Sequence, residues 1–406
     1  MSLFTTIFLT TFLISLRVVL VHACGGHHLA VRQEPAPTTT TYTTPQSKVA
    51  IVNVRVFDGT KLLRPSVVVI EGGLIGIDPF GAEVIDAHGG VLLPGLIDSH
   101  LHTGFLENVL VMRNYGITSA LDMGCYIGAE ACNALNVGVG YPEIKFSYDG
   151  AISAYGQIAS LGLVPPSSLI YNQSQAAQFV SARLADDASY IKVITETPGM
   201  DRATLGTIVN GSHSGGRKVM SHAPRHDAIS EALTAGVDFV HHIATDTAIT
   251  SSQIAQFVVQ KAIAVPTLIQ MLTIAGTGFD NYSYPVANLS VAELFKAGVP
   301  ILAGSDATGL HTPPNQLVPM GISLHQELEL LVGAGLSSTH ALRAATSLPA
   351  KYFNLQDRGV IAPGFRADLV LVRGDPIANI SVTQEIERVW VGGVEFNPWN
   401  KTVGSC

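Results

Sequence analysis

The sequence predicts a mixed α/β fold, with an eight-stranded β/α barrel in the middle of the chain and a small β-domain built from both ends. The chain has 406 residues, is 47% hydrophobic and contains 39 glycines, so it can bury a large core and make many tight turns. Between about residues 95 and 355, short apolar runs alternate with longer helical stretches, which is typical of a parallel sheet. Short strand-like runs with glycine turns stand on either side of this region, at 48–94 and 356–400.

The middle region has the length of a β/α barrel, because about eight strand-and-helix units fit into its roughly 260 residues. An open doubly wound sheet is the alternative, and periodicity alone does not separate the two. The barrel is favoured because polar residues stand at the carboxyl ends of the strand-like runs, where barrel enzymes carry their chemistry.

The N-terminal region predicts secretion. Residues 3–23 are almost wholly apolar and end in Val21-His22-Ala23, which is typical of a cleaved signal peptide, here 1–23. Arg17 weakens a transmembrane interpretation, and a signal anchor is the alternative. A Thr- and Pro-rich linker (24–47) follows, and a polar tail (401–406) ends the chain. The predicted extracellular location agrees with the N-glycosylation sequons, which lie at Asn172, Asn210, Asn281, Asn288, Asn379 and Asn400.

Charge and motifs exclude several classes of protein. The net charge of −8 argues against nucleic acid or an anionic membrane as the main partner. The sequence has no phosphate-binding glycine loop and no Gly-x-Ser-x-Gly elbow. Four cysteines are too few for a disulfide scaffold. Cys125 and Cys132 are a candidate disulfide, while Cys24 and Cys406 offer other pairings.

His100 and His102 are two residues apart in a strand-like run, LLPGLIDSHLHTG. Because side chains alternate along a strand, both imidazoles lie on one face, and at a barrel strand end this face is the mouth. Two imidazoles directed at one point suit a divalent metal ion. The alternative is a pair of half-exposed histidines at a turn.

Lys192 lies between apolar residues in the run SYIKVITE. A buried lysine is costly unless it is paired or modified. Its amine either extends to the strand end or, if neutral, reacts with carbon dioxide to form a carbamate that can bridge two cations.

Ligand-type residues also end several other strand-like runs. One such residue is more often part of the core or of a turn, but the same habit at several strand ends is hard to assign to chance. The mixture of nitrogen and oxygen donors suits zinc, manganese, cobalt or iron. These residues are His222, His241, His242 and Asp306.

Taken together, these motifs resemble the amidohydrolase superfamily, in particular its imidazolonepropionase-like and prolidase-like branch, to which secreted fungal ochratoxin-type amidases are similar. The resemblance rests on PGLIDSHLHTG, the strand lysine, the SHA and HHI histidines, AGSDA and the segment from Ala341 to Val372, and it covers about residues 48–400. It implies a distorted (β/α)8 barrel, here 95–355, and a β-sandwich made of 48–94 and 356–400. It also implies a binuclear metal centre.

Residue by residue, the resemblance implies that His100 and His102 hold the more buried metal and that Lys192 bridges as a carbamate. His222 and His242 would hold the second metal. Asp306 would bind the first metal and shuttle protons. The family commonly has Glu before the second-metal histidine where this chain has His241, and the motif register favours His242 as the ligand.

The expected function is that of a secreted hydrolase that cleaves an amide or peptide-like C–N bond with metal-activated hydroxide. Two ions, expected to be zinc with manganese, cobalt or iron as alternatives, would lower the pKa of a shared water. A tailoring enzyme of secondary metabolism, such as a decarboxylase or a cyclic-amide hydrolase, is the alternative. A non-catalytic binding protein is disfavoured by the full ligand set.

The expected partner is a small-molecule or dipeptide-like amide, with no nucleic acid and no membrane after signal cleavage; assembly into a homo-oligomer is left open. Four residues on predicted loops near the mouth are candidate substrate contacts. Arg225 could pair with a substrate carboxylate, or be a solvated surface residue. The four are Tyr155, Arg225, His226 and His311.

Overall fold

A computed structural model of the protein describes residues 47–162, 164–277, 282–308 and 318–398. Several sequence predictions concern residues outside these ranges. They are the signal peptide, nearly all of the linker, the tail, Cys24, Cys406, His311 and the sequons at Asn281 and Asn400. Within the described ranges, no helix has both the length and the apolar character needed to cross a membrane.

Strands from the two ends of the chain pair into one eight-stranded sheet, in the order β17-β16-β15-β5-β1-β2-β3, with β4 beside β1. Strand β5 joins the two parts, because it runs parallel to β1 and antiparallel to β15. The strands are β1 (Val49–Val56), β2 (Ser66–Glu71), β3 (Leu74–Gly76), β4 (Glu83–Asp86), β5 (Val91–Pro94), β15 (Leu369–Val372), β16 (Ile386–Val391) and β17 (Val394–Phe396).

Local sequence explains this sheet. The β-branched run Val67–Ile70 favours extended backbone, and Gly72 and Gly73, with φ of 56° and 83°, make the tight turn between β2 and β3. The sheet has its own buried cluster, which includes Ile51, Leu369 and Trp390. The predicted pairing of the two chain ends is confirmed, whereas the two-layered sandwich and the domain boundaries stay predictions.

The middle of the chain is built from parallel strands. Strands β6, β7 and β8 form one sheet, β9 and β10 a second, and β11 to β14 a third. The strands are β6 (Leu96–Leu101), β7 (Ile117–Asp122), β8 (Glu143–Phe146), β9 (Ile152–Ser153), β10 (Leu169–Ile170), β11 (Ile191–Ile194), β12 (Val219–His222), β13 (Phe239–His241) and β14 (Ile263–Val265).

Within the described ranges these sheets do not form one continuous closed ladder, so strand pairing does not confirm the predicted barrel. The mixed α/β class is confirmed. Isolated parallel bridges connect the pieces, at Ala151 with Val193, Ala264 with Ile301 and Leu101 with Ala307. One reason for the interruption is local: the backbone at Asp306 is left-handed, with φ of 57°, and a strand pleat cannot continue through that conformation.

Helices follow most of the parallel strands, as βα units require. Side-chain caps mark several of their starts: Asp201 accepts from the amides of Ala203 and Thr204, and Thr250 forms a capping box with Gln253. The helices are α1 (Leu106–Asn114), α2 (Ala129–Asn133), α3 (Gln157–Ser160), α4 (Gln173–Ala185), α5 (Arg202–Ser214), α6 (His226–Ala235), α7 (Ser251–Gln260), α8 (Leu268–Gly276), α9 (Tyr284–Lys296), α10 (Ile322–Gly333), α11 (Ser338–Ala344) and α12 (Ser347–Tyr352).

Alternation along the strands separates two apolar layers. The smaller layer, which we call the inner cluster, includes Tyr190, Met220 and Phe239, whereas Val193 and Val240 pack in the larger outer core. Because side chains alternate, the residues two positions after the inner-cluster members lie on the same face of their strands. They are Lys192, His222 and His241.

A disulfide closes the loop after β7. Cys125 and Cys132 are bonded, with their Cα atoms 6.1 Å apart, which confirms the predicted pair. The bond adjoins Gly124, whose carbonyl contacts a histidine of the candidate site.

Candidate metal centre

His100, in β6, and His102, directly after the end of β6, extend towards one carboxylate, that of Asp306. The Nε2 atoms lie 3.2 Å and 3.3 Å, respectively, from Asp306 Oδ1. His102 Nδ1 is 3.1 Å from the Gly124 carbonyl oxygen, and donation to that oxygen would fix the orientation of the ring. The sequence prediction that both imidazoles share one face therefore agrees with their positions.

His242 and Asp306 reach this point through unusual backbone. Both have left-handed φ, 68° and 57°, which is uncommon for residues other than glycine and often occurs at functional sites. His242 Nδ1 lies 2.8 Å from the hydroxyl of Thr267 and 3.7 Å from Asp306 Oδ2. One ligand atom from each of His100, His242 and Asp306 lies within 4.8 Å of the others, and all three residues are buried.

Lys192 and His222 complete the cluster. The His222 and His242 rings meet edge to face, with centroids 4.3 Å apart. Lys192 is buried, and its Nζ has no hydrogen-bond partner among the residues that the structure describes. A buried amine without a partner is costly, so its retention indicates a function or a modification.

The charge states suit metal binding. Burial, followed by the charge of Lys192, holds the pKa of His100 well below its usual value, and the same two causes lower that of His222 to about 3. These histidines are therefore neutral at pH 7, as metal ligands must be. Burial raises the pKa of Asp306, but the hydrogen bond from His102 and nearby positive charges outweigh it and bring the pKa to about 2.

Burial lowers the pKa of Lys192, whereas it raises that of a carboxyl group, because the charged form of an amine is the protonated one. It lowers the pKa of the amine from 10.5 to about 7, although the negative charges of Asp306 and Asp122 oppose the shift. About half of the amine is then neutral at pH 7.

His241, which the sequence left as the alternative to His242, occupies a different position. Its Nδ1 lies 2.9 Å from Nδ1 of His100, behind the ring nitrogen that faces Asp306. Its Nε2 is buried without a partner in the described ranges. The geometry groups His242 rather than His241 with His100 and Asp306.

The predicted substrate residues are less closely tied to the cluster. Tyr155 is 69% exposed and packs edge to face on Tyr171. Arg225 precedes α6 and has a carboxylate partner of its own, Asp246, at 3.6 Å. His226 begins α6, and its Nδ1 is buried without a described partner. His311 lies outside the described residues.

Sequence reasoning missed several residues that support the ligands. Asp98, within the DSHLH run, accepts hydrogen bonds from the amides of His100 and Ser305 and from the Ser305 hydroxyl, and so ties β6 to the Asp306 segment. Thr267 ends the run AIAVPT, so the strand-end pattern could have included it. The strand-end pattern could not have indicated Glu327, because this residue lies within α10.

Glu327 supports the start of α8, next to Thr267. Its Oε2 accepts from the amide of Ile269 at 2.8 Å. The side chain is fully buried, and burial raises the pKa of its carboxyl to about 8. It therefore holds the segment that presents the Thr267 hydroxyl to His242.

Comparison with known proteins agrees with this architecture. Residues 204–395 match the model of the amidohydrolase family. An uncharacterized protein of Mycobacterium tuberculosis is 23% identical over 360 residues, which cover 81% of this chain and 91% of that protein.

Two solved structures have the same fold. A Xaa-Pro dipeptidase with bound methionine has a TM-score of 0.74 and 21% identity, and the match covers 86% of this chain and all of that one (100%). Ochratoxinase of A. niger has a TM-score of 0.71 and 19% identity, with 88% and 98% covered.

The match over residues 204–395 and the shared fold confirm the predicted resemblance to the amidohydrolase superfamily. These matches support the predicted enzyme class, a hydrolase that acts on carbon–nitrogen bonds. Such enzymes generally use a divalent metal, and His100, His242 and Asp306 form a candidate site for one.

Proposed function

We propose that this protein is a secreted, binuclear metal-dependent hydrolase that cleaves an amide or peptide-like bond in a small molecule. The observation that carries the proposal is the buried cluster at the carboxyl ends of the parallel strands. Imidazoles and one carboxylate converge there, and the Lys192 amine has no hydrogen-bond partner in the described part of the chain.

The donor set fits two divalent ions. His100 and His102 direct their Nε2 atoms to Asp306, so these three residues would hold the first ion. The buried Nε2 of His242 has no partner among described residues, and together with His222 it would hold the second. Zinc suits this mixture of nitrogen and oxygen donors, with manganese, cobalt and iron as alternatives.

Lys192 would complete the centre as a carbamate. Its neutral amine attacks carbon dioxide, a C–N bond forms and one proton leaves, so the side chain becomes an anion with two oxygen donors. The lowered pKa of the amine favours this reaction at neutral pH.

Bound metal ions would supply a water of lowered pKa and would polarise the substrate carbonyl. The chain's own contribution to proton transfer is Asp306, which is a carboxylate at neutral pH and lies 3.3 Å from His102 Nε2. It can take a proton from the attacking water and deliver it to the leaving nitrogen. Burial of the cluster strengthens each of these interactions.

The substrate that we propose is a small or dipeptide-like amide. A carboxylate on that substrate would have to compete with Asp246 for Arg225. A panel of N-acyl amino acids, dipeptides, neutral amides and lactams, assayed on wild type and Arg225→Met, tests this point: a raised KM confined to acidic substrates supports the anchor.

We also propose that the bridged parallel sheets are arcs of one distorted eight-stranded barrel. The bridges at Ala151, Ala264 and Leu101 support this, because each connects two neighbouring pieces. Secretion is supported by the Cys125–Cys132 disulfide, since such bonds persist in oxidising compartments. A mass shift after enzymatic removal of glycans from eukaryote-expressed protein would test glycosylation.

The central experiment is elemental analysis of the purified, undialysed protein, combined with the amide panel in the presence and absence of a chelator. We expect about two metal ions per chain and hydrolysis that the chelator abolishes. His242→Ala should lose metal, whereas His213→Ala, a surface histidine paired with Asp238, should not. Metal content near zero in wild type, or hydrolysis indifferent to the chelator, would overturn the proposal.

A further inference from the structure

We infer that His241 is a positioning residue for His100: it accepts the Nδ1 proton of that imidazole and thereby holds Nε2 as a lone pair for metal. The inference rests on the proposed function, because it assigns His241 a part in the metal centre. His241 itself is not proposed as a ligand.

The His100 and His241 rings lie against each other. Their Nδ1 atoms are 2.9 Å apart and their centroids 4.7 Å apart, at an interplanar angle of 71°. Both side chains are buried. Strand β13 fixes His241 between its neighbours, because it pairs in register with His222 on β12 and Val265 on β14.

Counting protons sets the direction of this hydrogen bond. A neutral imidazole has one N–H, and a metal ligand must keep the lone pair of the coordinating nitrogen. His100 Nε2 is the nitrogen that faces Asp306, so the proton of His100 must be on Nδ1. That N–H points at Nδ1 of His241, which must therefore be unprotonated, and the proton of His241 lies on its Nε2.

The opposite direction of this hydrogen bond would prevent His100 from binding a metal ion. If His241 donated, the proton of His100 would move to Nε2 and face Asp306, and that nitrogen could not bind a metal ion. Two N–H groups cannot face each other at 2.9 Å, so the two tautomers are coupled. His241 thus determines whether His100 is available as a ligand.

Two substitutions separate the hydrogen bond from packing. His241→Leu keeps an apolar side chain of similar bulk but has no acceptor. His241→Asn places an amide oxygen near the position of Nδ1 and restores one. Phe239→Leu is the control, because Phe239 lies two residues earlier on the same face and belongs to the inner cluster without bonding to His100.

The measurements are zinc content and zinc dissociation constants, obtained by competition with a chromogenic chelator, together with thermal unfolding of the metal-free proteins. We expect His241→Leu to weaken binding of one of two zinc ions by about 10- to 100-fold, as loss of a ligand's supporting partner does. His241→Asn should recover most of this loss, and Phe239→Leu should leave zinc affinity unchanged.

Wild-type zinc affinity in His241→Leu, or equal weakening in the Leu and Asn variants, would overturn the inference and leave the proposed function intact. Absence of zinc binding in wild type would instead overturn the proposed function. If His241→Leu does not fold, nitrogen NMR of histidine-labelled, zinc-loaded wild type decides: a protonated Nδ1 on His241 contradicts the inference, and a protonated Nε2 supports it.

Discussion

Replacement of Lys192 by alanine is the perturbation that tests the proposed centre most directly. The Lys192 amine is buried without a hydrogen-bond partner among the described residues, so the substitution breaks no hydrogen bond within that part of the chain. We expect Lys192→Ala to lose the bridging carbamate, to retain about one metal ion rather than two, and to lose most hydrolytic activity.

The magnitude of the carbamate reaction follows from the pKa of the amine. An ordinary lysine with a pKa of 10.5 is neutral in about 3 of 10,000 molecules at pH 7. Burial brings the pKa of Lys192 to about 7, so roughly half of the amine is neutral. The reactive form is therefore enriched about 1,000-fold over a surface lysine.

The assay combines carbon NMR of zinc-loaded protein in ¹³C-labelled bicarbonate with elemental analysis of the same samples. Wild type should give a protein-bound carbamate signal that Lys192→Ala lacks. Lys296→Ala is the matched control, because Lys296 is 79% exposed at the end of α9 and should leave signal and metal content unchanged. Small carboxylic acids added to Lys192→Ala should restore part of the activity, since they can occupy the place of the carbamate.

Two results would refute this reasoning. Full activity and two metal ions in Lys192→Ala would show that the bridge is misassigned. A carbamate signal that persists in Lys192→Ala and vanishes in Lys296→Ala would show that Lys296, not Lys192, carries the modification.

Three further predictions follow from the surroundings of the site. Thr267→Val removes the hydroxyl bonded to His242 and should weaken zinc binding about 10-fold, whereas Thr267→Ser keeps the hydroxyl and should not. Equal zinc affinities in the Val and Ser variants would exclude a role for the hydroxyl. The pKa of Glu327 is about 8 in the folded protein, against an ordinary value of 4.5 that we assign to the unfolded chain. The folded state therefore binds the proton more tightly, and the unfolding free energy falls as the pH rises from about 4.5 to 8. In Glu327→Gln, the decrease in unfolding free energy between pH 5 and pH 8, measured by urea unfolding, should be smaller than in wild type by on the order of 3 kcal/mol. The same decrease in both proteins would contradict this prediction. Cys132→Ser opens a short loop and should lower the unfolding free energy by about 2–3 kcal/mol; an unchanged Tm, or an unbonded Cys125 in non-reducing peptide maps, would count against the disulfide.

Much of the candidate site was readable from residue types at strand ends. His100, His102, Lys192, His222 and Asp306 were named from apolar runs that end in polar residues, and the structure brings them together. This worked because alternation in a strand is local: the parity of a residue relative to its apolar neighbours decides its face.

The choice between His241 and His242 was not readable in the same way. The two are consecutive, so the strand period assigns them to opposite faces, yet both reach the cluster. His242 does so because its φ of 68° turns the chain at the end of β13. That turn depends on contacts with Thr267 and Asp306, which come from other strands.

For the candidate substrate residues, too, tertiary contacts decided what the sequence could not. Arg225 looked like a free anchor three positions after His222, but Asp246, after the next strand, is its partner. The role of Glu327 depends on the packing of α10 against the start of α8, which no local pattern predicts. The barrel also depends on pairing between distant strands, and the observed pairing gives three parallel sheets joined by single bridges.

The sequence by itself thus determined the mixed α/β class, the pairing of the two β-rich ends, the Cys125–Cys132 bond and the residue types of the site, because each depends on local periodicity, composition or short separation. The tertiary structure alone decided which nitrogen faces which partner, which charges already have partners, and which buried groups support the ligands. Those properties depend on atoms brought within about 3 Å by residues far apart in the chain, such as His100 and His241, 141 positions apart. No local pattern encodes such contacts.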